Sequence, residues 1–530
     1  MKSAIAVPIF PGFSLPIALF ALFASLMPGA LAAPPDLSLW PAWAFVEPTN
    51  VIHAYPGEDI FAKMNTLQPG DKMVIHAGTY SKTGSYTLQA MGTAAKPIFI
   101  EGAAGESAII TRPNCSENNF HIDNSGYLSI RNIKFLGGSI GMRIYNGSNI
   151  LIEDCEIYNT CAGSITANNV NTSYLYFMHN HIHNAASYEG FYLGSHSGSA
   201  ITHHTVVYNN YIHDMGSPGV YGSEGVEIKT GSYANLVRDN VIVNVASAGI
   251  LGYGTEGGEK NVFENNIVIN SLDNGIQVQG DAVLRNNIVI NSAYMGIFSM
   301  DHVGTAKNLE AINNTLINNP VGVRINNFGN REGMVLANNV IYSPEKTAVM
   351  ITNGITGGIL QGNIAVGTFP AEIAQGVAPG NSISEDFVNP GAMNYYPKTL
   401  LFAGRSQIEG HNVAYDFLYQ QRGATVYAGA FEKTGESGYA ITPGFMFDAR
   451  SPADANCGNN AVDAGENCAS CPQDAPCSAG NVCQGGTCVP QQECVSMQAL
   501  MNYISQWKSG GINMAALMQK IAGWKSGAGC

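Results

Sequence analysis

Hydrophobic and polar positions alternate over short runs along most of this chain, and the runs come in two recurring phrases. One opens on asparagine: NHIHN at 180, NYIHD at 210, NVIVN at 240, NIVIN at 266 and again at 287, NTLIN at 314 and NVIY at 339. The other opens on glycine: GMRIYN at 141, GSITAN at 163, GFYLGS at 190, GVEIKTG at 225, GILGYG at 249, GIQVQG at 275, GIFSM at 296 and GVRINN at 322. A period of two, with turn residues between the runs, predicts strands, and the repeats lack helical spacing. From glycine to glycine the spacings are 22, 27, 35, 24, 26, 21 and 26 residues. Two strands per repeat at that period predict one coil of a parallel β-solenoid, because a lone coil cannot cover its apolar face and must stack on its neighbours.

Stacking at about 4.8 Å per rung converts sequence spacing into geometry. Val226, Ile228, Ile276, Val278, Val323 and Ile325 are predicted to point into the core. The asparagine opening each short phrase is predicted to form a ladder in a tight turn, since asparagine tolerates left-handed backbone and hydrogen-bonds locally. Just before each glycine stand Ile140, Ala162, Glu189, Glu224, Ala248, Asn274, Met295 and Val321. Only two adjacent rungs carry acid there, so Glu189 and Glu224 are expected about 5 Å apart. Like charges that close raise one pKa or require a cation between them. Two positions after the glycine, on the outward face, come Tyr192, Glu227, Leu251 and Gln277; two further on come Gly194, Lys229, Tyr253 and Gln279. Glu227 and Lys229 are thus expected to share a face with Tyr192 and Tyr253, whose rings offer sugars a flat apolar partner while their hydroxyls stay wet.

The 35-residue rung between Gly190 and Gly225 must carry a loop over this face, where binding groups commonly sit. Seven of the twelve histidines fall between 179 and 213, His196 and His204 among them. The plainer alternatives are an exposed ion pair for Glu227 and Lys229, and ordinary outward strand positions for His181 and His183.

Composition narrows the class. Sixty glycines and 12% charged residues do not suit a helical bundle, and a net charge of −14 argues against nucleic acid as partner. Residues 1–33 have the form of a secretory leader, with Lys2, an apolar run and a small-residue Ala30-Leu31-Ala32 site. Its removal takes the charge to −15 (−14 − 1) and leaves no later stretch of ~20 apolar residues to span a bilayer. A secreted or surface-associated product is expected. Eight of the eleven cysteines lie in residues 457–530, an even number that predicts a disulfide framework rather than a zinc site. In the body, Cys155 and Cys161 are expected to pair, leaving Cys115 buried and free. The expected organisation is a leader (1–33), a β-solenoid (34–450), a cysteine-rich module (451–493) and a helical hairpin (494–530) locked by Cys494 and Cys530. The hairpin rests on ALMNYISQWKSG (499–510) and ALMQKIAGWKSG (516–527), and attachment to a cell surface, matrix or protein partner is one role for it.

The repeat, with LQPGDKMVIHAGTY (67–80), GTAAKPIFIEG (92–102) and YDFLYQQRGATVYAGAFE (415–432), resembles the right-handed parallel β-helix proteins of the pectate-lyase-like superfamily over about residues 50 to 435. That resemblance implies an all-β, right-handed parallel β-helix. The stretch CGNNAVDAGENCASCPQDAPC (457–477) resembles small cysteine-rich repeats of exported proteins, with Val462 where their second cysteine stands. Several β-helix polysaccharide lyases hold Ca²⁺ with clustered carboxylates and use Lys or Arg to remove the proton beside a uronate carboxylate. The chain resembles the alginate and dermatan lyases of that group, whose pattern has two glutamates separated by one residue and a lysine five further on; here the glutamates are 224 and 227 and the lysine follows two later. The expected roles are then Glu189, Glu224 and Glu227 as Ca²⁺ ligands, Lys229 as a base of lowered pKa beside Glu227, Tyr192 or Tyr253 as proton donor, and Arg238 holding substrate carboxylate. Tyr192, His196, His204 and Gln277 are expected to bind polysaccharide. A glycoside hydrolase with paired carboxylates and a non-catalytic carbohydrate-binding protein are the other readings the same residues allow.

Overall fold

The computed structural model of the chain describes residues 37–219, 222–432, 440–446, 481–484 and 487–490. The expected leader, the helical hairpin and most of the cysteine-rich module lie outside these residues. The chain divides into two compact units, the first ending at Met446 and the second beginning at Phe447. In the second, Asn481–Gln484 and Thr487–Pro490 pair antiparallel.

The first unit is a parallel β-solenoid of about 13 turns. Each turn contributes short strands to three parallel ladders, two of which merge where the long strand Val340–Ile351 runs from one into the other. Register is one-to-one from rung to rung: Val226 pairs Ile250, Ile250 pairs Ile276, Ile276 pairs Ile297 and Ile297 pairs Val323. Such register follows from the period of two, since a slip of one residue would turn every apolar side chain outward. The six residues predicted to face inward are all fully buried, each contributing roughly 1.5–3 kcal/mol of transfer free energy. Ile60, Phe61 and Met64, on a short helix (Ile60–Met64) capped by Asp59, belong to the same continuous core.

The asparagine ladder runs Asn180, Asn210, Asn240, Asn266, Asn287, Asn314, Asn339 and Asn363. From Asn180 to Asn339 the side-chain amide and the backbone N–H both donate to the side-chain oxygen of the next. The left-handed backbone belongs to the preceding residues instead: His179, Asn209, Asp239, Asn265, Asn286, Asn313 and Asn338 have φ between 49° and 60°. The turn needs two neighbouring positions, one to reverse the chain and one to satisfy its buried amide.

The closing segment lies against these turns. The amides of Asn286, Asn313 and Asn338 donate to the carbonyls of Tyr415, Tyr427 and Ser406, and buried Arg422 pairs Glu432 while bonding Asn286. The body disulfide differs from expectation: Cys115 pairs Cys161 across 46 residues, with Cα atoms 5.7 Å apart, and Cys155 is free. Cys155 faces the core, where burial pushes its thiol up to about 12, whereas Cys115 and Cys161 both lie in loops outside the strands. Among the described residues no helix is long and apolar enough to cross a membrane.

Candidate active site

The strand Val226–Ile228 has Phe191–Leu193 on one side and Ile250–Gly252 on the other. Its alternation anchors Val226 and Ile228 in the core and sends Glu227 outward, in register with Tyr192, Leu251 and then Gln277. The backbone N–H of Gly190 donates to the carbonyl of Glu224, and that of Gly225 to Ala248. Glu189 and Glu224 therefore stand one rung apart in one column, which Ala248 ends. Gly225 is fixed here by crowding, since a Cβ would fall 2.6 Å from Ile242 and 2.7 Å from the Gly249 carbonyl.

The result is a cluster of ionisable groups largely withdrawn from water. Glu189, Glu224, Glu227 and Lys229 are each less than a tenth exposed, Glu227 only 2%, which removes the exposed-ion-pair reading. Lys229 Nζ donates to Glu227 Oε1. Its ammonium lies 4.7 Å from the Tyr192 ring centre and 4.8 Å from that of Tyr253. The two tyrosines thus flank the lysine, and Tyr253 as a whole residue is 5% exposed.

One oxygen from each of Glu189, Glu224 and Glu227 lies within 4.8 Å of the others. Burial, and next the neighbouring Glu227, push the Glu189 and Glu224 carboxyls well above the ordinary range. Burial raises Glu227 as well, against the opposing pull of Lys229. The lowering expected of Lys229 is that of a metal-bound site; with the carboxylates carrying no ion, its pKa lies above the ordinary lysine value. Burial, the largest single influence, lowers it, but the charge and hydrogen bond of Glu227, with Tyr192 and Glu189, together raise it. Oε2 of Glu224 and Oε2 of Glu227 are buried without a hydrogen-bond partner. Oxygens ligating one Ca²⁺ at 2.3–2.6 Å lie within about 5 Å of each other, so three hard carboxylates at this separation, two with an unpartnered oxygen, fit such an ion.

The remaining expected residues divide. His196 joins the cluster, its ring 5.7 Å from Tyr253, and Gln277 lies two strands from Glu227, its amide oxygen accepting from Asn274. Arg238 does not reach the site: its strand (Leu236–Arg238) belongs to another ladder, and its guanidinium donates to Tyr419 and faces Asp239 and Glu264. His204 is also elsewhere, with Nδ1 2.8 Å from His203 and its ring against Tyr174 and Tyr233. His302 was not anticipated; its ring lies 5.2 Å from Tyr253 and 6.2 Å from His196. A sequence signal existed, because His196 and His302 each stand six positions after the glycine of their rung, Gly190 and Gly296. The long rung makes its excursions beside the cluster, one passing Gly198 near Thr230 and the other bringing Gly222 near Glu189. A shallow depression bordered by Tyr253, Gln277, Gln279, Met300 and His302 adjoins the site. A recess of about 680 Å³ opens past Thr230, toward Ser197, Tyr233, Glu256 and Val303.

Parallel register over about 13 turns makes the first unit a parallel β-solenoid. The family model of the right handed beta helix region matches residues 118–281. No curated protein matches the sequence. Among solved structures, the chain is similar to an alginate lyase from Paenibacillus sp. str. FPU-7 at 19% identity, covering 62% of this chain and 99% of that one with a TM-score of 0.41. It is also similar to pectate lyase Pel9A, at 13% identity over 74% of this chain and 98% of that one with a TM-score of 0.44. A third is the catalytic domain of a GH87 alpha-1,3-glucanase, at 15% identity over 60% and 69% with a TM-score of 0.41.

Proposed function

We propose that this is an exported polysaccharide lyase that cleaves a uronate-containing glycan by β-elimination at the Glu189, Glu224, Glu227 and Lys229 cluster. The observation that carries this is the burial of three carboxylates against one lysine on the outward face of a single pair of rungs. Four charges in a low-dielectric site are costly to maintain, and three carboxylates cannot all ionise there beside a single ammonium. Glu189, Glu224 and Glu227 would hold Ca²⁺. When bound, that ion neutralises a substrate carboxylate and so acidifies the neighbouring C–H.

The remaining steps belong to the chain's own side chains. With Glu227 engaged as a ligand, what is left acting on Lys229 is mainly burial, which disfavours its charge and suits it as a base. Neutral Lys229 Nζ takes the proton from the carbon bearing the carboxylate. The electron pair so released forms a carbon–carbon double bond, the bond to the glycosidic oxygen breaks, and the departing oxygen takes a proton from Tyr192 or Tyr253. Tyr253 is suited to donate rather than to lose its proton early, because burial and the nearby carboxylates raise its hydroxyl above the ordinary value. Gln277, His196 and His302 border the run along which a sugar chain would lie.

The test is incubation of the mature protein with a panel of uronate and neutral polysaccharides, with and without chelator, followed by ultraviolet absorbance of the unsaturated product. The expected result is a rise on one uronate glycan that chelator suppresses. New reducing ends without that absorbance would overturn elimination in favour of hydrolysis by the paired carboxylates. Retention of a glycan with neither signal would make the cluster a binding site.

A further inference from the structure

The glycan site uses only His196 from the histidine-rich stretch, and three of the others converge on a different ladder of the solenoid. His181 and His183 occupy alternate positions of the strand His181–His183 and so project from the same face. His213, on Tyr211–Met215, is in register with His183. One ring nitrogen from each of the three lies within 4.8 Å of the other two.

The hydrogen bonds around the rings fix which nitrogens are free. His183 Nε2 lies 3.1 Å from Glu156 Oε1 and donates to it. A neutral His183 therefore presents a bare Nδ1, and that atom is buried with no partner. His213 Nδ1 lies 2.7 Å from Asp214 Oδ2 and donates there, which leaves Nε2 as the lone-pair atom. That Nε2 is 2.8 Å from His181 Nε2. Both supporting carboxylates are themselves held, Glu156 by Lys134 at 2.6 Å and Asp214 by the amide of Asn244 at 3.1 Å. Tyr158 stacks on His183 and Tyr211 on His181, limiting ring rotation.

We propose that His181, His183 and His213 form a three-imidazole site for a divalent transition metal, separate from the carboxylate cluster. Imidazole nitrogens oriented by a carboxylate on the opposite ring nitrogen are the donor arrangement of protein zinc and copper sites, and calcium, which takes oxygen ligands, does not suit it. Two imidazole nitrogens on a tetrahedral zinc at about 2.0–2.1 Å lie roughly 3.4 Å apart, so His181 and His213 need to separate only slightly as the proton between them leaves. All three histidines are partly exposed, which gives an ion a way in.

The experiment uses the mature chain without a polyhistidine tag, titrated with Cu²⁺ alone and followed by electron paramagnetic resonance, with Zn²⁺ affinity measured by calorimetry. The expected result is one equivalent of copper with nitrogen hyperfine structure, undiminished by excess Ca²⁺ and by Glu224→Gln. His213→Gln should weaken Zn²⁺ binding beyond ~100-fold, and Asp214→Asn or Glu156→Gln about 10-fold, the range for second-sphere partners. Absence of nitrogen-ligated copper in the unmutated protein would overturn the site whatever the variants do. So would unchanged affinity in a His213→Gln protein of native circular dichroism, or a thiolate spectrum tracing the metal to cysteine.

Discussion

Two buried polar arrays in this solenoid follow opposite rules. The asparagine ladder is neutral and recurs in turn after turn, each side-chain amide and backbone N–H finding the next asparagine. The carboxylate cluster is charged, confined to two rungs, and holds two buried oxygens with no partner. In a stack, a group repeated in every turn is satisfied by its own copies. A group present in only two turns has no such supply, so its cost must be met by neighbours unique to those turns or by something the chain binds. The departure from the repeat, more than polarity or burial, marks the site.

Substitutions on the two arrays should therefore separate activity from stability. The largest effect is expected from Lys229→Ala, which removes the proposed base and should lower glycan turnover per folded molecule about 10³-fold, within the range for general bases, beyond whatever stability is lost by leaving buried Glu227 without its ammonium. Steady-state rates on the glycan identified by the absorbance screen check this, and a similar loss from Asn266→Ala without unfolding would erase the contrast. Asn266→Ala should instead cost ~3 kcal/mol, since it leaves the Asn240 amide and backbone N–H without their acceptor. Denaturant unfolding measures that loss, and activity per folded molecule should be unchanged.

Calcium at a hundredfold over its dissociation constant should stabilise the protein by about 2.7 kcal/mol, an increment absent from the Glu189→Gln/Glu224→Gln double variant in the same melt. The smallest effect concerns pH. Burial raises the folded-state values of Glu189 and Glu224 above the ordinary 4.5. Their contribution to stability is then complete below the ordinary range and is lost as pH rises through the raised values. In chelator, the unmutated protein should lose melting temperature across that rise, and Glu224→Gln should gain ~1 kcal/mol on it at neutral pH. Parallel pH profiles for the two proteins would count against the shared burial of the carboxylates.

Much of this was legible in the chain. The alternation of Val226 and Ile228 with Glu227 set the face each residue occupies, and the offset from each glycine set the column, so the neighbours of Glu227 could be named from spacing alone. That reasoning fails once a contact crosses from one ladder to another. Arg238 stands only nine positions after Lys229, yet the chain turns a corner between them and gives it to Tyr419, 181 residues away. Cys155 and Cys161 are near neighbours in sequence, but a strand separates a core position from a loop position, and the loop reaches Cys115. His302 shares an offset with His196 but lies several rungs away, and only the geometry of the projecting loops brings the two rings together.

By itself, then, the sequence determined what a periodic object can: strands, turns, register, the core-facing residues and the rung where the repeat is broken. These follow because rungs stacked at a constant spacing make sequence offset equivalent to position. The tertiary structure decided whatever depends on burial and on contacts between ladders. It placed Lys229 between two tyrosines and against Glu227, left Glu224 and Glu227 with bare oxygens, and set three imidazoles within reach of one ion. The strength of a charge and the freedom of a lone pair depend on the dielectric and the partners around them, and those belong to the folded chain.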